Sequence, residues 1–231
     1  MKNLIKVTLV ISAILIAFSS NTFAQKGKPF KGLITFSISY TGLEPAQAAQ
    51  QPKLMELYVS GDKSKMVLNL GPASFMVIND GEKTEKITLI DQGGENKIYF
   101  KTTKDEIDKD VNEGPKPTIK YIEETKVIAG FTCKKAEYTV KAEDKDAPTT
   151  ITAWYSEELG SEKLNYGGEF SGLKGMPLEY EMKEGEVSTK FTATEVKKGK
   201  VKDTDFLVPA EFKELSAEEK QQMMDAMKGK E

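Results

Sequence analysis

From residue 54 to residue 102 the chain is a run of short apolar segments, separated by turns too short to hold a crossover helix. Leu54–Ser60 turns at Gly61-Asp62 into Lys65–Leu70, where Met66, Leu68 and Leu70 alternate. Gly71-Pro72 leads into Ser74–Asn79, and Asp80-Gly81 reads as a two-residue hairpin turn before Lys86–Asp91. Gln92-Gly93-Gly94 then precedes Lys97–Thr102. Parallel neighbours need connections of a dozen or more residues, so this spacing predicts an antiparallel meander. Upstream, Ile34, Phe36, Ile38 and Tyr40 alternate with Thr35, Ser37 and Ser39, the period of a strand with one buried face. The Gln/Ala/Pro-rich stretch Thr41–Lys53 between them reads as a surface connection with room for one helical turn at Ala46–Gln51.

The second half continues in the same manner. Lys104–Lys116 is charged and reads as a solvated loop; it lacks the acidic spacing of a calcium loop. Strands are expected at Thr118–Thr125, Lys126–Ile128 and, after Ala129-Gly130, Phe131–Lys141. In the last of these Phe131 and Cys133 are out of phase with Ala136, Tyr138 and Val140. A β-bulge at Lys134-Lys135 would bring all five to one face. Thr149–Tyr155 follows, then a helical turn within Glu157–Leu164, a glycine-studded loop at Tyr166–Met176, and alternation at Leu178, Tyr180 and Met182. Glu184-Gly185 turns into Val187–Val196, and Phe206–Pro209 is expected to finish the β portion. Ser216 and Glu219 form a capping box for a terminal helix, whose Met223, Met224 and Met227 fall on one side to dock on the sheet. The fold class is therefore all-β and mainly antiparallel: a large curled sheet or half-barrel of roughly ten strands, with few helices and a short C-terminal helix.

The first 24 residues have the form of a cleaved export signal. Lys2 and Lys6 give a positive start, Val7–Phe18 is mostly apolar, and Ser19–Ala24 is a small, polar exit ending at the cut. The apolar run is shorter than the ~20 residues of a spanning helix, and no Cys stands at the cut to be acylated. The expectation is a periplasmic or secreted protein, not a lipoprotein. Residues 25–231 form a single β-rich domain, with 213–231 its C-terminal helix and tail. Without Lys2 and Lys6, the 33 lysines become 31 against 36 acids, a charge of about −5. That balance does not suit nucleic acid.

Every basic residue is Lys; there is neither Arg nor His. The chain thus lacks the guanidinium fork that grips carboxylate or phosphate and the commonest general base and metal ligand. Its one cysteine, Cys133, forms no internal disulfide and reads as a buried, inert thiol. Two S-x-x-K pairs occur, Ser60/Lys63 and Ser171/Lys174. Among 13 Ser and 33 Lys that spacing arises about twice by chance, and Ser60 precedes a turn rather than opening a helix. No catalytic residue, metal site or cofactor is expected.

Three apolar stretches are interrupted or followed by Gly or Pro: Lys126–Ala136 (KVIAGFTCKKA), Ala153–Leu159 (AWYSEEL) and Phe170–Tyr180 (FSGLKGMPLEY). In that order they resemble a group of secreted, uncharacterised Gram-negative envelope proteins, including domain-of-unknown-function and GLPGLI-type families. The matching residues are Lys126, Ile128, Gly130, Phe131, Cys133, Lys135 and Ala136, then Trp154 and Tyr155, then Gly172, Leu173, Gly175, Pro177, Leu178 and Glu179. Lys174 stands where the GLPGLI form has Pro. The resemblance implies fold and compartment, and no activity. The export signal, meander spacing and curled sheet also resemble the lipoprotein-carrier (LolA/LolB-like) half-barrel. The expected function is an exported envelope protein binding an apolar or lipid-like ligand in the concave face of the sheet. The alternative is a non-enzymatic structural or protein-interaction module, partnered by another envelope protein, whose core is filled by its own side chains. Phe131, Trp154, Met176 and Tyr180 are expected to line or close the concavity, and Gly172, Gly175 and Pro177 to form a loop or gate over its mouth.

Overall fold

The computed structural model describes residues 28–114, 116–140 and 149–228. The expected export signal, the acidic loop closed by Pro148 and the side chain of Met227 lie outside the described residues. The strands are β1 (Lys31–Thr41), β2 (Leu54–Ser60), β3 (Lys63–Leu70), β4 (Ala73–Asp80), β5 (Glu85–Asp91), β6 (Lys97–Thr102), β7 (Thr118–Ile128), β8 (Phe131–Val140), β9 (Thr149–Ser156), β10 (Met176–Glu184), β11 (Val187–Lys198) and β12 (Lys213–Glu214). Four helices are described: α1 (Pro45–Gln50), α2 (Lys104–Glu113), α3 (Glu162–Asn165) and the C-terminal α4 (Ala217–Lys228). All twelve strands join one sheet in the order β12-β6-β5-β4-β3-β2-β1-β11-β10-β9-β8-β7, which is not closed into a barrel. Pairing is antiparallel throughout except where β12 lies parallel to β6. The expected all-β class with few helices and a short C-terminal helix is what the chain adopts.

β1 sits at the centre because it is buried on one face and paired on both sides. Ile34, Phe36 and Ile38 are buried, and the strand pairs with β2 along one edge and β11 along the other. Cross-strand register carries its inward face across the sheet, since opposed residues point the same way. One row runs Phe36, Met55, Leu68, Phe75, Ile90, Ile98; a second runs Ile34, Leu57, Met66, Val77, Thr88, Phe100. Toward the other edge the same face carries Ile38, Phe191, Tyr180, Ala153 and Ala136. The opposite face of β4–β6 is apolar as well. There Met76, Ile78, Ile87, Leu89 and Tyr99 are covered by Phe206, Val208 and Phe212 from the C-terminal crossover.

Four local expectations are corrected. Lys104–Lys116 is not a loop: α2 occupies most of it. Thr103 and Glu106 cap that helix reciprocally, Ile107 is buried, and Lys104 and Lys109 pair with acids four residues on. Asp80-Gly81 is not a two-residue turn, because Asp80 pairs with Glu85 and its carboxylate accepts the Glu82 and Lys83 amides, stabilising a four-residue loop. Phe206–Pro209 forms no strand but crosses the back face after a 3-10 turn at Asp203–Phe206, and β12 follows it. Finally, β8 pairs regularly with β9 through Lys134 and Lys135. The register shift lies in the neighbouring strand, between Ile122 and Thr125 of β7. Burial still changes phase along β8: Cys133 belongs to one core cluster, Ala136 and Tyr138 to another. The extra residues are carried by β7, where Glu124 stays outward and accepts Lys135 (3.2 Å).

Candidate functional site

The β9–β10 connection, residues 157–175, crosses the face that β1 buries and ties the two arms of the sheet together. Leu159, Leu164, Phe170 and Leu173 are buried in it. Phe170 lies edge-on to Tyr138 and Tyr180, with centroids 5.9 and 4.8 Å apart. On the far arm Asn79 Nδ2 donates to Leu164 O (2.8 Å) and Lys86 Nζ to Gly167 O (2.7 Å). Ser161 Oγ donates to Asp62 Oδ1 (2.6 Å), and Tyr166 OH to Asp108 of α2 (2.9 Å). Inside the segment, Asn165 Nδ2 donates to both Leu173 O and Gly175 O, each at 2.8 Å. These bonds reach the β2–β3 and β4–β5 turn ends of the sheet, so that end of the face is filled.

Among the described residues, the remainder of the face is uncovered and forms an open trough. Leu57, Met66, Leu68, Phe75, Val77, Ile90 and Ile98 are each half-buried. Phe75, Val77, Ile90 and Ile98 belong to none of the three described core clusters. The trough runs out at the β3–β4 turn, where Leu70 is 46% exposed. Tyr180 lies at its inner side, stacked on Phe191 (4.7 Å, 16°), and burial raises its phenol above the usual range. Burial likewise lowers Lys86 at the filled end.

The four residues anticipated as lining the concavity all belong to, or pack against, the first core cluster. Met176 is buried in the first core cluster beside Leu159 and Leu164. Phe131 is half-buried against that cluster, with Lys198 Nζ 5.5 Å from its ring centroid. Trp154 pairs with Lys135 and Glu179, whereas Tyr180 pairs with Ala153; across the register shift between Pro177 and Glu179 both side chains are partly buried against the first core cluster. Lys126 Nζ lies 4.3 Å and Lys135 Nζ 5.7 Å from a Trp154 ring centroid. Burial alone would raise the neighbouring Glu179, but Lys126 (2.7 Å) and Lys190 (3.3 Å) hold its carboxyl below the usual range. Gly172 has φ +88°, Gly175 is packed so closely that a Cβ would meet Ser156 O at 2.6 Å, and Pro177 is a buried residue of β10 paired with Tyr155. The connection carrying Gly172 and Gly175 is anchored by the hydrogen bonds given above, and Pro177 follows it within the sheet.

The trough residues on β2–β6 were not singled out from sequence, yet a signal was present. Ser74–Asn79 and Lys86–Asp91 are apolar at both parities, which is how a strand reads when both its faces are apolar. The C-terminal crossover covers one of those faces; the trough is the other. Chemically the trough face presents Ser64, Asn79, Lys86 and Thr88 among apolar groups. Neither S-x-x-K pair is joined by a hydrogen bond: Lys63 pairs with Asp80 (3.1 Å), and Lys174 lies over the Tyr121 ring. No group of acidic or Cys residues able to hold a metal ion occurs among the described residues. A concavity of about 590 Å³ lies on the back face between Ile78, Ile87 and the Asp203–Val208 crossover. Its Lys63, Lys101 and Asp203 are all ion-paired within the protein.

No family model and no curated protein matches the chain. Among solved structures, two crystal forms of PNGF-II superpose with TM-scores of 0.54 and 0.55 at 17% and 18% identity. The match takes in 84% of this chain but 33% and 32% of the PNGF-II chains, so the protein spans about a third of their length. That likeness shows a shared fold. LprF from Mycobacterium bovis overlaps at a TM-score of 0.29 and 13% identity, over 75% of this chain and 87% of that one, which bears neither on fold nor on ligand. Among the described residues no helix is long and apolar enough to cross a membrane.

Proposed function

We propose that this is an exported, non-enzymatic envelope protein that holds an apolar or lipid-like ligand against the trough of β2–β6. The observation supporting this is the contiguous surface of Leu68, Phe75, Val77, Ile90 and Ile98, half-buried on one face of an open sheet. Apolar surface left in one continuous patch marks an interaction site. Burying an acyl chain there gains about 0.8 kcal/mol per CH₂, enough over a lipid tail to offset the several kcal/mol lost on association. The test is native mass spectrometry of the purified protein for co-purifying lipid, followed by titration of delipidated protein with a fluorescent fatty acid. Val77→Lys places an ammonium on the trough floor and should weaken binding at least tenfold while leaving the thermal melt cooperative. Protein that carries no lipid and binds no probe defeats the proposal.

One observation favours the second reading, an interaction module with a self-filled core. The arm formed by β7–β10 is filled by Phe170 and Leu173 of its own connection. Empty preparations would leave that reading for the whole face.

A further inference from the structure

The two ends of the trough differ, and the difference assigns both a ligand class and a direction; this rests on the apolar-ligand reading above. At the filled end the polar groups facing inward are Ser64, Asn79 and Lys86. Asn79 and Lys86 already donate to Leu164 O and Gly167 O, and α2 adds buried Ile107 against Gly167. A polar head arriving there would be desolvated among partners already engaged, which is costly. At the other end Leu70 is exposed. Lys53 and Tyr40 stand on the same face: Lys53 lies two residues before Met55, and its ammonium is exposed, donates to Ala48 O of α1 with two protons left for a ligand, and lies 5.2 Å from the Tyr40 ring centroid. Between the ends, the six residue steps from Ala73 to Asn79 of β4 span about 20 Å. One leaflet of a ~30 Å bilayer core, about half that thickness, is the depth of a lipid tail. The length suits one extended acyl chain lying along the strands.

We infer that the ligand is a fatty-acid-like amphiphile inserted tail-first, its methyl end toward Asn79 and Lys86 and its carboxylate beside Lys53. Wetting and charge stay at the end that water reaches; only methylenes pass Phe75 and Val77. Affinity then rises with chain length until the tail meets the filled end, and stops rising there.

Equilibrium binding of a saturated series from octanoate to stearate to the delipidated full-length protein tests this. Each added methylene should tighten binding up to about fourfold, followed by a plateau. Val77→Phe shortens the inner end, so it should move the plateau to shorter chains and leave the shortest chains unaffected. Lys53→Gln should weaken every chain length by one common factor and leave the plateau where it was. Leu57→Phe, on the same inner row, gives the shortening a second time should Val77→Phe lower the thermal melt. The inference is overturned if Val77→Phe weakens short and long chains alike, or if Lys53→Gln moves the plateau. Binding with either of those patterns leaves the apolar-ligand reading standing, whereas absence of binding at every chain length removes both.

Discussion

Cys133 shows how far a single residue can be read in isolation. Its sulfur is fully buried and donates weakly to Phe131 O (3.6 Å). Burial pushes the thiol up to about 11 although Lys126 pulls the other way. The thiolate is the reactive form, so at neutral pH a native sample should label slowly, with a rate that climbs toward pH 11 and a jump to full labelling on unfolding. Fast labelling at pH 7 would contradict the burial. Cys133→Ser should cost about 1–3 kcal/mol, read from denaturant midpoints. This thiol was legible because burial is the ordinary state of a free Cys. The surroundings of Trp154 were less legible. Its large apolar area suggested a packed face; β9 alternation places Ala153 and Tyr155 in the second core cluster, and the indole packs against the first with two lysines over its ring. Parity at a bulged sheet corner depends on where the extra residue sits, and sequence does not say which strand carries it.

Among elements, the free edge at β7 carries its own protection. Eleven residues long and with no strand on its outer side among the described residues, it exposes Val127 (71%) and Tyr121 (39%). Such an edge invites pairing with another chain, and charges and bulges are the usual deterrents. Here both coincide at Glu123 and Glu124, inside the register shift. Replacing the two with Thr should flatten the strand and produce self-association, seen as a concentration-dependent mass in light scattering while the parent stays constant. Elements of this kind were legible only in part. The strands and their turns followed from alternation and from Gly and Pro, because those signals are local. The α2 helix was missed because its acids and lysines outweigh a single inward residue, Ile107; the Thr103–Glu106 box was the available sign. The two-residue β12 was beyond reading, since it is held in place by Phe212 packing and by Leu215 N donating to Tyr99 O (2.9 Å) rather than by any pattern of its own.

At the scale of the molecule, strand order follows from β1, and nothing local announces it. Two meanders, β2–β6 and β7–β11, are joined into one sheet because β1 pairs with β2 and β11, joining residues such as Ile38 and Phe191. The filling segment adds a second seam, bonding β4 and β5 through Asn79 and Lys86 while packing on Tyr138 and Tyr180. With both seams in place neither meander can unfold without uncovering the apolar face of the other, so the sheet should lose structure as one unit. Trp154 emission reports the β7–β11 arm, and hydrogen exchange of β3–β5 amides reports the other; in denaturant the two should give coincident transitions. Phe36→Ala removes a fully buried ring from the central strand. It should lower both signals together by about 3–5 kcal/mol. Refolding should be slow, milliseconds to seconds, because the seam closes contacts across most of the chain. If Trp154 emission instead survives after the β3–β5 amides have exchanged, the meanders are separate cooperative units. The trough would then lie at the edge of one unit, not between two arms of a single sheet.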